Sequence, residues 1–208
     1  MPPAPRRALI VIDVQNEYVS GRLPIEYPPL SESLPAIAAA MDAASAAGVP
    51  VVVVQQDAPG DSPIFAVGSA GWQLHEVVAS RPYDHLVRKT LPSAFAGTDL
   101  ADWLAEREVD TLTVCGFMTH NCDASTILHA MHAGWSVEWL SDASGALPYA
   151  TQAGRATAEE IHRVFAVVFH TRFAAVTRTA DWIAALQAGQ ALTRGSILSA
   201  NLRARGLA

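Results

Sequence analysis

The chain has 208 residues, of which half are hydrophobic and 16% are charged, and its formal net charge is −6 at pH 7. This length and composition predict one globular domain over residues 1–208, and the acidic balance disfavours a nucleic-acid-binding protein, which would carry a basic patch. Apolar runs stay shorter than the about 18 residues that a membrane span requires, so we expect no membrane association.

Short β-branched runs alternate with Ala-rich stretches, which is typical of βαβ units and a buried parallel sheet. The six predicted strands are Ala8–Asp13, Pro50–Gln55, His85–Arg88, Thr111–Cys115, Ser136–Leu140 and Ala174–Thr177. The predicted helices between them are Ser31–Ala47, Thr98–Arg107, Asn121–Ala133 and Thr157–Phe169. The alternation predicts a three-layer α/β/α fold.

Two irregular segments, Ser20–Pro29 and Ala58–Ser80, follow the carboxyl ends of predicted strands. Open α/β sheets place their sites at this edge, so we expect both segments to wall a substrate pocket. From about residue 187 to 208 the chain loses clear periodicity. A C-terminal arm that packs on another subunit and a frayed tail are equally consistent with this pattern.

The cysteines and the N-terminal residues bear on the compartment. Cys115 and Cys122 are too few for a disulfide scaffold in a chain of this length, so we predict that both are reduced. Residues 1–7 lead directly into the apolar run Ala8–Ile12 and then Asp13, which is not a signal-peptide pattern. These features favour a cytoplasmic protein.

Three chemically active residues close predicted strands or begin the next helix. Asp13 ends the first strand, where a buried carboxylate suits a general base, although a capping role is equally consistent. Lys89 follows the third strand and is the one lysine beside thirteen arginines. Codon bias explains the arginines, and the exception favours a need for a compact ammonium over a solvated lysine.

Cys122 follows the fourth strand in the segment Thr111–Thr126. We predict that it lies at the first turn of a helix, whose positive end would lower the thiol pKa and favour a nucleophilic thiolate. Cys115, inside the strand, is interpreted as a small buried hydrophobic residue. An acid, a cation and a thiol at three strand ends of one sheet would converge on one point.

The segments 11–16 (VIDVQN), 87–95 (VRKTLPSAF) and 114–122 (VCGFMTHNC) resemble those of the isochorismatase-like cysteine hydrolase superfamily. The resemblance extends from about residue 8 to 180 and implies Asp13, Lys89 and Cys122 as the catalytic triad. It also implies a six-stranded parallel sheet of order 3-2-1-4-5-6 and a homo-oligomer, a dimer or tetramer. A cis peptide bond at Phe117–Met118 is implied as well, with the Met118 N–H in the oxyanion hole.

Departures from the family pattern narrow the expected chemistry. Nicotinamidase-like members carry a metal-binding Asp-x-His after the second strand, whereas this chain has Asp57-Ala58-Pro59. We therefore predict no metal, and no cofactor. Isochorismatases proper cleave a vinyl ether by protonation without a thiol, so Cys122 favours amide hydrolysis. Residues 62–65 and 71–75 resemble streptothricin hydrolase-like members of the family.

Three further residues are candidates for substrate binding. Tyr18 and Trp72 lie on loops over the strand ends, where they could wall a planar amide, with core packing as the alternative. His120 precedes the nucleophile, and a surface position is its alternative.

The sequence thus predicts a cysteine hydrolase that cleaves the C–N bond of a small non-peptide amide through a thioester. The alternatives are an ether hydrolase that uses Asp13 as the acid, and a catalytically idle ligand-binding homologue.

Overall fold

The computed structural model describes residues 4–207, so the outermost ends of the predicted domain, residues 1–3 and 208, lie outside the described residues. Its strands are β1 (Arg7–Ile12), β2 (Val51–Gln56), β3 (His85–Lys89), β4 (Thr111–Phe117), β5 (Ser136–Gly145), β6 (Tyr149–Thr151), β7 (Gly154–Ala156) and β8 (Ala175–Thr177). Its α-helices are α1 (Leu30–Ala46), α2 (Glu76–Ala79), α3 (Leu100–Glu106), α4 (Ala124–His132), α5 (Ala158–Arg172), α6 (Thr179–Gln187) and α7 (Ile197–Ala204).

Six parallel strands form one sheet of order β3-β2-β1-β4-β5-β8. The predicted order is confirmed, with β8 as the sixth strand of the sheet. The hairpin of β6 and β7 is a separate antiparallel pair that the sequence analysis did not predict. Both strands have only three residues each and are mostly exposed. They therefore do not show the apolar run by which the buried strands were predicted.

The sheet is covered on both faces because its central strands are apolar at nearly every position. Along β1, Ala8, Ile10 and Ile12 pack on the side of α3, α4 and α5. Leu9 and Val11 point the opposite way, toward α1 and α6. Alternate side chains of a strand face opposite sides, so a continuous apolar run requires a helical layer on each side. The three-layer prediction is confirmed.

Two helix starts differ from the prediction. Helix α1 begins at Leu30, one residue before the predicted start, and its N-cap is Pro29. A π-helical turn, Thr119–Asp123, precedes α4, so the regular helix starts at Ala124. The sequence analysis predicted one helix, Asn121–Ala133, because the spacing of apolar residues does not change between the π-helical turn and α4.

The C-terminal segment contains a helix that the sequence analysis did not predict. Helix α7 begins with a capping box, in which the Ser196 and Ser199 side chains bond to each other's backbone N–H. It packs against α5. Whether it contacts another subunit stays a prediction. Within residues 4–207, no helix combines the length and apolarity needed to cross a membrane.

Candidate active site

Asp13 directly follows β1 and is completely buried. Its backbone is in the left-handed region at φ 49°, and its N–H donates to Val54 O on the adjacent strand β2 at 2.9 Å. On the other side of β1, a Cβ added to Gly116 would lie 2.1 Å from Ile12 O, so only glycine permits this close approach of β4. The two neighbouring strands thus fix the position of the carboxylate.

Lys89 brings the three predicted residues together. Its Nζ lies 2.7 Å from Asp13 Oδ2 and 3.4 Å from Cys122 Sγ. It also donates to Gln56 Oε1 at 2.6 Å. The ammonium thus forms an ion pair with Asp13 and donates hydrogen bonds to Gln56 and Cys122. The side chains of Lys89 and Asp13 are both fully buried, so this contact is shielded from solvent.

Cys122 lies in the π-helical turn and is 3% exposed. The expectation that its thiol pKa is lowered is wrong, because burial raises it well above its ordinary value, and Asp13 raises it further. The Lys89 ammonium opposes this rise. A buried site disfavours the charged form of an acid, and here this effect on the thiol pKa outweighs that of the positive helix end. Cys122 is therefore a neutral thiol in this site, and only a base could convert it to a thiolate.

The two charged partners shift each other's pKa. Burial raises the pKa of the Asp13 carboxyl, while the charge of Lys89 lowers it. For Lys89, burial works to lower the pKa, but the charge of Asp13 raises it above its ordinary value. An ammonium beside a carboxylate favours the charged form of both groups.

Two glutamines support this arrangement, and the sequence analysis missed them. Gln56 ends β2 and accepts from Lys89, while its own N–H donates to Gln15 Oε1 at 2.9 Å. Gln15 Nε2 donates to the backbone oxygens of Gln56, at 3.0 Å, and Trp72, at 2.7 Å. Their positions in the sequence could have indicated this role. Gln15 follows β1 and Gln56 ends β2, and the carboxyl ends of both strands share this edge of the sheet.

A cavity of about 290 Å³ opens beside Cys122. It lies over the carboxyl ends of the strands, as the sequence analysis predicted, and the loops after β1, β2, β3 and β4 all contribute to its lining. Tyr18 and Met118 line it together with Cys122. The peptide bond between Phe117 and Met118 is cis. The role of the Met118 N–H in an oxyanion hole stays a prediction.

Trp72 does not line this cavity in the described part of the chain, and its role in substrate binding stays a prediction. Its indole packs against Arg88, whose guanidinium carbon lies 5.0 Å from the ring centre, and its Nε1 donates to Asp57 Oδ1 at 2.7 Å. Arg88 also pairs with Asp57 Oδ2 at 2.7 Å. These partners hold the ring away from the cavity lining of the described chain. Asp57 stands where nicotinamidase-like members have a metal-binding aspartate, and its two carboxylate oxygens here contact Trp72 and Arg88.

His120 is also outside the cavity lining formed by residues 4–207, and its predicted role in substrate binding stays a prediction. Its ring packs edge-on against Tyr149, with the centroids 4.7 Å apart, and lies 6.4 Å from Phe165. Burial lowers its pKa to about 4, so the ring is neutral near pH 7. The π-helical turn directs this side chain toward β6 and α5, whereas its neighbour Asn121 lines the cavity.

Behind the nucleophile lies a second buried acid that the sequence analysis did not identify. Asp123 is completely buried, and its Oδ2 accepts from Trp139 Nε1 at 3.1 Å. Burial raises its pKa to about 7, and the hydrogen bond from Trp139 counteracts this rise.

The model of the isochorismatase domain matches residues 7–181, which is most of the chain. The chain belongs to the isochorismatase family. This family assignment agrees with the resemblance of the three sequence segments, and the neighbouring structures share the predicted fold.

The chain is similar to several members of the isochorismatase family. A crystal structure of a proposed isochorismatase from Burkholderia xenovorans LB400 is 65% identical, covers 98% of each chain and superposes with a TM-score of 0.97. Streptothricin hydrolase from Streptomyces noursei is 37% identical over 67% of this chain and 54% of its own length. A ureidoacrylate amidohydrolase from Methylobacterium radiotolerans is 28% identical over 86% of this chain and 78% of its own length.

Proposed function

We propose that this isochorismatase-family hydrolase is a cysteine amidohydrolase that cleaves the C–N bond of a small non-peptide amide. The observation that carries the proposal is the position of Lys89 Nζ, within 2.7 Å of Asp13 Oδ2 and 3.4 Å of Cys122 Sγ. All three groups are buried, and Cys122 lines the cavity of about 290 Å³. The name of the ureidoacrylate amidohydrolase relative supports amide chemistry.

The raised pKa of the Cys122 thiol determines the first step, because the thiolate must be generated when substrate is bound. Asp13 accepts the thiol proton, and the sulfur attacks the carbonyl carbon of the amide. The Lys89 ammonium remains beside both atoms and stabilises the negative charge on the sulfur. Backbone N–H groups of the nucleophile turn, those of Met118 and Cys122, are the proposed donors to the oxyanion.

The C–N bond breaks when Asp13 returns its proton to the leaving nitrogen, which leaves a thioester on Cys122. Asp13 then removes a proton from water, and the oxygen attacks the thioester carbon. The carbon–sulfur bond breaks, Asp13 returns this proton to the sulfur, and the acid product leaves. Asp13 thus acts as base and then acid in each half of the reaction.

The two cysteines provide a matched test of this mechanism. In Cys122→Ala, amide turnover should fall to background because the nucleophile is gone. In Cys115→Ala, which alters a buried residue inside β4, turnover per folded molecule should stay within a few-fold of wild type. Both variants would be assayed against a panel of small amides, with ammonia or amine release as the readout. Undiminished turnover in Cys122→Ala would overturn the proposal.

An ether hydrolase that protonates its substrate from Asp13 is the second candidate. The observation that favours it is the raised pKa of the Asp13 carboxyl, which burial produces. In that reaction Cys122 forms no bond to substrate. The same variant separates the two mechanisms, since an acid-catalysed ether cleavage should survive in Cys122→Ala.

A further inference from the structure

The side chains around the cavity are mostly apolar. Aliphatic and aromatic groups from the loops after four strands form most of its wall, namely Tyr18, Leu23, Ile64, Phe65, Pro92 and Met118. The polar side chains of the lining, apart from the nucleophile, are neutral: Gln56, Ser62, Thr90 and Asn121. Such a wall stabilises apolar substituents of a ligand and offers few hydrogen bonds.

The charges beside Cys122 are already paired. The ammonium of Lys89 forms an ion pair with Asp13 and donates hydrogen bonds to Gln56 and Cys122. A substrate carboxylate would therefore face an occupied cation, and it would approach a thiolate once Asp13 had taken the thiol proton. Burial of a carboxylate without a partner is costly, and a neighbouring negative charge increases that cost.

We propose that the site takes small uncharged amides whose acyl substituent is apolar, and that it discriminates against acyl groups that carry a carboxylate. This inference rests on the proposed amidohydrolase function. The cavity volume of about 290 Å³ agrees with a small substrate, since pockets for drug-sized ligands run from about 300 to 1,000 Å³.

Three amides of nearly equal shape test the inference. In 4-methylpentanamide the end of the acyl chain is an isopropyl group, in succinamide it is a neutral carboxamide, and in succinamate it is a carboxylate. The reacting amide is separated from that end by two methylenes in all three, so its reactivity is similar. We expect kcat/KM to fall in this order, with at least about a 100-fold difference between the first and the last.

A variant of the wall gives a second measurement. Ile64 lines the cavity and is half-buried, so a longer side chain has room to reach solvent. Ile64→Arg should reduce the preference for 4-methylpentanamide over succinamate by about tenfold or more, because a guanidinium can pair with the carboxylate. Ile64→Met, which alters shape without charge, should retain the preference of the wild type. If Ile64→Arg does not fold, Leu23→Arg against Leu23→Met replaces it.

The outcomes separate this inference from the proposed function. The expected order of the three amides supports both. If Cys122 turns over succinamate as fast as 4-methylpentanamide or faster, the substrate class is wrong and the amidohydrolase function stands. If no amide in the panel is hydrolysed at Cys122, the inference falls together with the proposed function.

Discussion

At the scale of single residues, the site depends on one ammonium that serves three acceptors. The lone lysine of the composition is the residue that contacts Asp13, Gln56 and Cys122 in a fully buried position. A guanidinium is planar and its donors point outward in a fork, so it cannot serve three acceptors that converge on one atom. The structure therefore gives a geometric reason for lysine at this position.

Lys89→Arg should lower kcat/KM by at least about 100-fold, since the larger group displaces the carboxylate or the thiol. The adjacent residue supplies the control. Arg88 is exposed and pairs with Asp57, and Arg88→Lys should retain activity within a few-fold of wild type. Amide turnover at pH 7 is the measurement, and a fully active Lys89→Arg would contradict the proposed role of the ammonium.

Asp123 provides a prediction about pH and stability. Its pKa is about 7 in the folded protein because burial disfavours the carboxylate, against 3.8 for a solvated carboxyl. Between these values the unfolded chain releases the proton first, so the contribution of Asp123 to stability falls as pH rises from about 4 to 7. Asp123→Asn removes this effect.

The difference in free energy of unfolding between Asp123→Asn and wild type should therefore change with pH. From pH 4 to pH 8 it should shift in favour of the variant by about 4 kcal/mol. Urea unfolding at several pH values measures this difference. Asp102→Asn, an exposed carboxyl in α3, is the control and should run parallel to wild type. Parallel curves for Asp123→Asn would show that the carboxyl titrates normally.

At the scale of secondary-structure elements, a buried ion pair ties the sheet to α6. Glu138 on β5 accepts from Arg7 Nε on β1 at 2.9 Å, and both side chains are nearly inaccessible to solvent. The Glu138 carboxylate also accepts from Thr113 Oγ1 on β4 at 2.8 Å and from Trp182 Nε1 on α6 at 3.0 Å. Side chains from β1, β4 and α6 thus all donate to one carboxylate on β5.

Glu138→Gln should cost about 3–5 kcal/mol of stability, because it leaves the Arg7 charge buried and turns an amide N–H₂ toward the other donors. The control is Glu108→Gln, which weakens an exposed pair with Arg6 and should cost less than about 1 kcal/mol. Denaturant unfolding measures both. Equal effects of the two substitutions would show that the buried pair contributes no more than a surface one.

The sequence permitted prediction of those parts of the site that depend on where strands end. The apolar runs before Asp13 and Cys122 locate two strand ends, and parallel strands place these ends at one edge. The side-chain directions of Trp72 and His120 could not be predicted. They depend on partners distant in sequence, such as Arg88 for Trp72, and on the π-helical turn for His120.

At the scale of the whole molecule, apolar side chains remain exposed on α5 and α7. Val164, Val167 and Val168 lie three and four residues apart on α5, and Val167 is 60% exposed. Ile197 and Leu198 on the neighbouring α7 are 60% and 69% exposed. Residues at this spacing share one helix face, so the exposed groups are consistent with the homo-oligomer that the sequence analysis predicted.

Val167→Glu should therefore shift the protein toward monomer, because it places a charge on this apolar face. The control is Val67→Glu, which alters a similarly exposed valine in the loop after β2. Light scattering coupled to size-exclusion chromatography measures the mass of each. A wild-type protein that elutes as a monomer at micromolar concentration would contradict the predicted dimer or tetramer.

The thioester mechanism is tested most directly by measuring the mass of the protein during turnover of an amide. Acid quenching within the first turnovers, followed by intact-protein and peptide mass spectrometry, would detect an acyl group on the enzyme. We predict one added acyl mass on the peptide that contains Cys122, and none in Cys122→Ala. Turnover of the same amide with no covalent acyl species, or with the acyl group on Cys115, would contradict the thioester mechanism.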